Sequence, residues 1–126
     1  MEDLRKPDLT SQVIGLAIEV HRHLGPGLLE SAYEECLCHE LRQAKIAFVR
    51  QQKLPVRYKA IELNARCTMD IVIEDSLVVE VKAVDPTNPI HKAQLLTYLR
   101  LGGYQLGLLL NFNRPSLKDG ITRMRL

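Results

Sequence analysis

The sequence has no strong charge of either sign, no even set of cysteines and no long apolar run. Its 17 Lys and Arg residues nearly balance 15 Asp and Glu, leaving a formal charge of +2 with His neutral. That is too small to argue for nucleic acid by itself, because such partners are usually announced by a strongly basic face. A weakly basic chain can still hold phosphates when a bound cation supplies part of the positive charge. The three cysteines, Cys36, Cys38 and Cys67, cannot all pair within one chain, which points to a reducing compartment and hence the cytoplasm. Cys36, Cys38 and His39 are close in sequence, but they read as part of a helix, where residues two apart face different ways. No second ligand pair follows at zinc-finger spacing, so buried thiols are the expectation.

The opening MEDLRKPDL has no apolar core of the signal-peptide kind. No apolar run approaches the roughly 18 to 20 residues that span a bilayer. The expectation is a soluble, intracellular protein with no membrane partner. No Gly-rich phosphate loop occurs, since Gly25-Pro26-Gly27 has the form of a turn. No Ser or Cys has a recognisable base beside it in sequence. What is present is an ordinary globular mix, 46% apolar and 25% charged. Its 126 residues suit one domain, residues 1–126, large enough for a core without disulfides or a structural metal.

Residues 1–10 are polar and read as loosely held. Thr10 or Ser11 can cap a first helix to about His23, with Val13, Ile14, Ala17, Ile18 and His21 along one side. His21 on that apolar side reads as a buried, satisfied imidazole rather than a ligand. Gly25-Pro26-Gly27 stops the helix. A second helix covers about Leu28 to Ala44, with Leu29, Ala32, Tyr33, Cys36, Leu37 and Leu41 as its stripe. From Ile46 the period changes. An extended segment runs from Ala47 to about Tyr58, with Pro55 marking an edge or a bend. A short return covers Ile61 to Leu63. Cys67–Ile73 and Leu77–Val84 read as central strands, and Glu74-Asp75-Ser76 as the turn between them. Asp85–Pro89 is a loop, and a helix follows from about Ile90 to Leu101, ending at Gly102-Gly103. His91 at its start suits a capping role or a phosphate contact. Tyr104–Asn111 is apolar enough for a strand covered on both faces. Asn113–Gly120 is a loop and Ile121–Leu126 a last edge strand. The sum is a mixed α/β (α+β) domain, a single mixed sheet flanked by helices.

The informative stretch is MDIVIEDSLVVEVKA, residues 69–83. Two acids and a lysine interrupt apolar strands, and charge beside Val and Ile is costly unless paired or bound to metal. Glu80 and Lys82 share a face of one strand. If Glu74–Ser76 is a three-residue loop about Asp75, Asp70 faces Glu80 with Cβ atoms about 4.5 to 5.5 Å apart. Carboxylates that close repel, which raises one pKa or recruits a hard cation such as Mg²⁺ or Mn²⁺. A two-residue loop would place the acids on opposite faces. The alternative is a salt-bridge ladder in which Lys82 neutralises Asp70 or Glu80 on a solvated face. Val78, in line with Glu80 and Lys82, argues against a wholly polar face.

Asp70, then nine residues, then Glu80-x-Lys82 resembles the core pattern of the PD-(D/E)XK nuclease superfamily. Gln94-x-x-x-Tyr98 on the following helix is similar to the motif of its RecB-like branch, and i and i+4 project from one helical face. GPGLLESAY resembles the signature of the small GxxExxY proteins, carried here by Gly27, Glu30 and Tyr33. IEVHRHLG, HKAQLLTY and LKDGI have the same look, and the resemblance covers about residues 12–126. Two positions depart from the pattern: Met69 replaces the proline before the aspartate, and Thr68 stands where an arginine is frequent.

The resemblance implies a restriction-endonuclease-like core and metal-dependent cleavage of DNA or RNA. In it, Asp70, Glu80 and Glu30, with the backbone carbonyl of Val81, would hold Mg²⁺ or Mn²⁺. Lys82 would orient water or stabilise phosphate charge, Gln94 would position the nucleophile or the lysine, and Tyr98 would contact the nucleic-acid backbone. The alternatives are that Tyr33 and Tyr98 simply pack in the core, and that Glu30 is an acid favoured by the helix dipole. At the level of the whole protein, the alternative is an idle nuclease-fold module that binds nucleic acid or a protein partner. The small size leaves little surface for gripping a long duplex, which favours a homodimer or a partner protein.

Overall fold

A computed structural model describes residues 8–84 and 88–126. The loose segment expected at residues 1–10 falls mostly outside the described residues, as do Asp85, Pro86 and Thr87 of the expected loop. Helix α1 spans Leu9–Leu24 and α2 spans Glu30–Gln43. Strands β1 (Phe48–Tyr58), β2 (Ile61–Ile73) and β3 (Leu77–Lys82) follow. Then come α3 (Pro89–Gly102), β4 (Leu106–Asn111), a 3₁₀ turn at Leu117–Gly120 and β5 (Ile121–Arg125). The sheet order is β1-β2-β3-β4-β5. Only β3 and β4 pair in parallel, and α3 is the crossover between them.

Alternation along the strands builds two cores. Leu77, Val79 and Val81 of β3, with Ile71, Ile73, Leu108 and Leu110, pack under α1 and α2 through Val13, Ala17, Tyr33, Leu37 and Leu41. Val78, Val72 and Leu109 turn to the other face and meet Leu95, Tyr98 and Leu99 of α3. Each such side chain contributes about 1.5–3 kcal/mol by leaving water. Leu37→Ala or Leu99→Ala, at 0% exposure, would cost about 2–5 kcal/mol. α3 starts where Pro89 takes the first turn and the Asn88 side chain accepts from Ile90 N–H at 3.0 Å. It stops where Gly103 adopts φ +73°, a left-handed cap that suits glycine.

Several expected boundaries move. The cap of α1 is Asp8, whose carboxylate accepts from Ser11 N–H at 2.7 Å, so Leu9 and Thr10 are helical. An acid matches the positive end of the helix better than a hydroxyl. α2 begins at Glu30, and Leu29 lies outside its apolar stripe at 77% exposure because the turn before it faces solvent. Ile18 is also exposed, and Val20 takes its place in the core. Ile61–Leu63 and Cys67–Ile73 belong to one strand, and β1 pairs with both parts of it. β1 is the sheet edge, and its register shifts between Pro55 and Arg57, where proline offers no N–H. Asn88, not His91, caps α3.

Candidate metal centre

The turn at Glu74–Ser76 has three residues, with Glu74 and Asp75 both left-handed. The pairs are Ile73↔Leu77, Val72↔Val78 and Ile71↔Val79. One further step of that register sets Asp70 opposite Glu80. There the backbone ladder gives way to side chains. Asp70 N–H donates to Glu80 Oε2 at 2.9 Å, and Val81 N–H donates to Asp70 Oδ2 at 2.8 Å. The β1–β2 ladder skips the same place, because Gln51 sits at φ +54° and does not pair with Asp70. Asp70 thus occupies a break in both ladders. The break explains why Met69 and Val72, three apart, pack on the same face.

Glu80 is 2% exposed. Burial, and then the charge of Asp70, push its carboxyl up to about 8, while the bond from the Asp70 amide and the charge of Lys82 act against the rise. A buried acid beside a second, half-buried carboxylate is a place where a cation would be stabilising.

α2 brings the third acid. Glu30 opens that helix, is exposed, and its Oε1 accepts from Ala83 N–H at 3.2 Å, just past the end of β3. The reason lies in the preceding turn. Tyr33 Oη donates to Gly25 O at 2.6 Å and accepts from Leu28 N–H at 3.0 Å, and its ring stacks on Phe112 with centroids 4.4 Å apart. Gly27, at φ +100°, lets the chain turn. Gly27, Glu30 and Tyr33 therefore act as one unit: a turn, a staple, and an acid aimed at β3. A pocket of about 200 Å³ is lined by Glu30, Ser31, Glu34, Gln51, Asp70 and Val81. Because Val81 N–H points towards β2, its carbonyl does too. Lys82 O instead accepts from Phe112 N–H beside β4 at 2.8 Å.

The remaining expected residues are more dispersed. Lys82 is half-buried opposite Asn111, and its ammonium makes no hydrogen bond among the described residues. Tyr98 is buried in the α3 core; burial, then the charges of Glu80, Cys67 and Asp70, push its hydroxyl up to about 12. Gln94, one turn earlier on α3, is half-buried and makes no hydrogen bond among the described residues. His21 is a satisfied buried imidazole, its Nε2 donating to Arg114 O at 2.9 Å. The three cysteines are free, and burial pushes the Cys38 thiol up to about 11, away from reactivity.

The donor set has the chemistry of a hard-cation site: three carboxylates and a peptide carbonyl. Glu30 and Glu80 each accept a backbone amide on one carboxylate oxygen. As the side chains stand, however, no group of three His, Cys, Asp or Glu among the described residues converges to hold an ion. The residues fit such a metal by the type of their donor atoms.

Sequence reading missed four residues here. Glu34, 5% exposed, accepts from Arg50 Nε at 2.7 Å and from Gln51 Nε2 at 2.8 Å. Gln51 Nε2 also lies 3.4 Å from Asp70 Oδ1. Asn111, buried at the end of β4, accepts from Val84 N–H and donates to Val84 O, which fixes the chain leaving β3. Glu34 could have been found, because it follows Glu30 by four residues on one helical face.

The mixed sheet, its two helical layers and the acids at the split between β2 and β3 define a restriction-endonuclease-like α/β domain of nuclease type. A family model for the PD-(D/E)XK nuclease superfamily matches residues 7–124, and the chain belongs to that superfamily. Comparison with curated proteins and with solved structures finds no match. Membership implies a nuclease-type function, and nucleases of this superfamily generally use divalent metals and bind nucleic acid. Among the described residues no helix is long and apolar enough to cross a membrane.

Proposed function

We propose that the protein is a divalent-metal-dependent nuclease that hydrolyses phosphodiester bonds of DNA or RNA. The observation that carries this reading is the interlocked pair Asp70–Glu80, whose buried acid is pushed up to about 8 by burial and by the charge of Asp70. Asp70, Glu80, Glu30 and the Val81 carbonyl are the residues that would hold Mg²⁺ or Mn²⁺. When bound, such an ion polarises a phosphate oxygen and lowers the pKa of a coordinated water. Hydrolysis joins the water oxygen to phosphorus and releases one ester oxygen as a hydroxyl. Lys82, whose ammonium makes no hydrogen bond among the described residues, stabilises the added charge on phosphate or holds the attacking water. Gln94 positions that water or the lysine. Tyr98 backs the site from α3 and, in this reading, contacts the nucleic-acid backbone. The Gly27–Glu30–Tyr33 unit supports membership in the GxxExxY branch, and three free cysteines suit a reducing cytoplasm.

The test is cleavage of labelled DNA and RNA with each metal. Asp70→Ala and Lys82→Ala should abolish it, and absence of any cleavage by the parent protein sinks the activity. A second reading is an idle nuclease fold that binds nucleic acid or a protein partner, alone or as a homodimer. It draws on the lack of a converged three-acid group among the described residues. Calorimetric titration with Mn²⁺ separates the two, because an idle scaffold has no need to bind the ion through Asp70 and Glu80.

A further inference from the structure

Among the described residues, no layer packs on either face of the distal half of the β1–β2 hairpin. Every residue from Arg57 to Arg66 is exposed, and neither core reaches this segment. A two-stranded ribbon with nothing packed on it is marginal in water, so its length calls for an explanation. The ribbon is also where the charge is. Residues 53–67 carry Lys53, Arg57, Lys59 and Arg66 against Glu62 alone, a net +3 in a chain whose total is +2. The remainder of the molecule is therefore slightly acidic.

Its direction ties it to the metal centre. β2 runs antiparallel to β3, so the hairpin extends past the end of β3 where Glu80, Lys82 and the Glu30–Ala83 contact lie. From Asp70 to Ile61 the strand covers about 25–30 Å. The faces are sorted as well. Leu54 and Cys67 are cross-strand partners on the α3 side. Their neighbours Lys53 and Arg66 project from the opposite side, and Arg57 follows on the exposed ribbon beyond the register shift at Pro55. The opposite side is that of α2, where Glu30, Glu34, Gln51 and Asp70 line the acidic pocket. Tyr58 and Ile61, partners at the tip, are each 60% exposed, and Lys59 Nζ lies 5.4 Å from the Tyr58 ring centroid.

Resting on the nuclease reading, we propose that this hairpin is an arm that grips duplex DNA, with Lys53, Arg57 and Arg66 on backbone phosphates beside the metal centre. Charge selects the occupant: a basic strip next to acids that need a cation suits a polyanion. Shape selects the form, because the B-DNA major groove admits a two-stranded ribbon whereas the narrow major groove of A-form RNA does not. Pairing of two arms from two copies would set like charges together, which disfavours a second chain as occupant. The arm supplies the grip that a 126-residue domain otherwise lacks.

The test is anisotropy titration of a labelled 20-base-pair DNA duplex over a range of salt, in chelator so that nothing is cut. The triple variant Lys53→Gln/Arg57→Gln/Arg66→Gln is compared with Lys45→Gln/Arg100→Gln/Arg125→Gln, which removes equal charge at the other end of the sheet. All six positions are exposed, and circular dichroism confirms folding. The arm variant should lose affinity on the order of 10- to 100-fold near 0.1 M salt, and its salt slope should shrink by about 2.5–3. The control variant should shift much less. Equal losses in both variants, no loss in the arm variant, preference for duplex RNA, or loss of a dimer with an unchanged slope would each overturn the arm. If the parent binds through the arm but cleaves nothing with Mn²⁺, the arm stands and the activity falls. If the parent cleaves and the arm variant binds equally well, the reverse holds.

Discussion

Asp70 and Glu80 each accept a bond from the backbone of the other's strand. The Asp70 amide donates to Glu80 Oε2 at 2.9 Å, and Asp70 Oδ2 accepts from the Val81 amide at 2.8 Å. The strand pair thus gives up two ladder bonds and replaces them with side-chain bonds to carboxylates. The acids are locked at the break, which preorganises the site, but they are held too close for both to ionise easily.

That conflict sets the pH dependence of stability. In the metal-free fold Glu80 titrates near 8, against 4.5 for an ordinary glutamate, because of burial and then the Asp70 charge. The folded state therefore holds this proton more tightly than the unfolded state. Stability from this group is full below about pH 4.5 and is lost as pH rises towards 8. Thermal unfolding in chelator should show Tm falling over that window. Glu80→Gln keeps an oxygen for the Asp70 amide and removes the charge. It should gain at least about 1 kcal/mol, several degrees in Tm, at pH 8 and little at pH 5. A variant as unstable as the parent at pH 8 would show that the acids do not conflict.

A cation should reverse that slope. Metal binding needs deprotonated carboxylates and releases protons. Mn²⁺ should therefore raise Tm more at pH 8 than at pH 5.5; at a hundred times its dissociation constant the ion stabilises the fold by about 2.7 kcal/mol. Asp70→Asn should remove most of the shift, while Lys82→Ala should keep it and lose cleavage. An equal Mn²⁺ effect at both pH values, or in Asp70→Asn, would place the ion elsewhere.

The parts of this site written in local pattern were legible in the sequence. The Val- and Ile-rich runs on both sides of Glu74-Asp75-Ser76 announced two strands and a turn but left its length open; the three-residue turn then sets the register that brings Asp70 opposite Glu80. The burial of Tyr104–Asn111 on both faces, seen for most of β4, followed from its unbroken apolar run. What escaped depended on contacts between distant segments. Gln51 has no local feature that announces a left-handed conformation in a strand, yet that kink aims it at Asp70. Tyr33 reads equally well as a core tyrosine or a site residue, and its bonds to Gly25 and Leu28 show why both descriptions touch it. The basic arm stayed hidden because the net charge of the whole chain averages it away.

Tyr33→Phe isolates the staple. It removes the bonds to Gly25 O and Leu28 N–H but keeps the ring stacked on Phe112. The expected loss is about 1–2 kcal/mol of stability. Freed of its clamp, the turn before Glu30 should move more, so Mn²⁺ affinity should fall several-fold in calorimetry. Unchanged affinity in a folded Tyr33→Phe protein would mean that Glu30 is positioned by α2 alone.

Gln51 offers the sharpest separation of positioning from folding. Its amide links buried Glu34, at 2.8 Å, to Asp70 Oδ1 at a long 3.4 Å. Glu34 itself is held by Arg50, so Glu34→Ala leaves a guanidinium without its partner and should cost about 1–3 kcal/mol. That loss alone would not distinguish a structural role from one at the site. Gln51 is exposed, and Gln51→Ala removes one bond to Glu34 while Arg50 still holds that acid, so the cost in stability should be about 1 kcal/mol. If the Glu34–Gln51–Asp70 chain orients the acid, Gln51→Ala should nevertheless weaken Mn²⁺ binding several-fold, and Gln51→Glu should tighten it by adding a carboxylate to the pocket. If both variants bind Mn²⁺ as the parent does, Asp70 is oriented by the Val81 amide alone, and the left-handed turn at Gln51 serves only to carry β1 past the break.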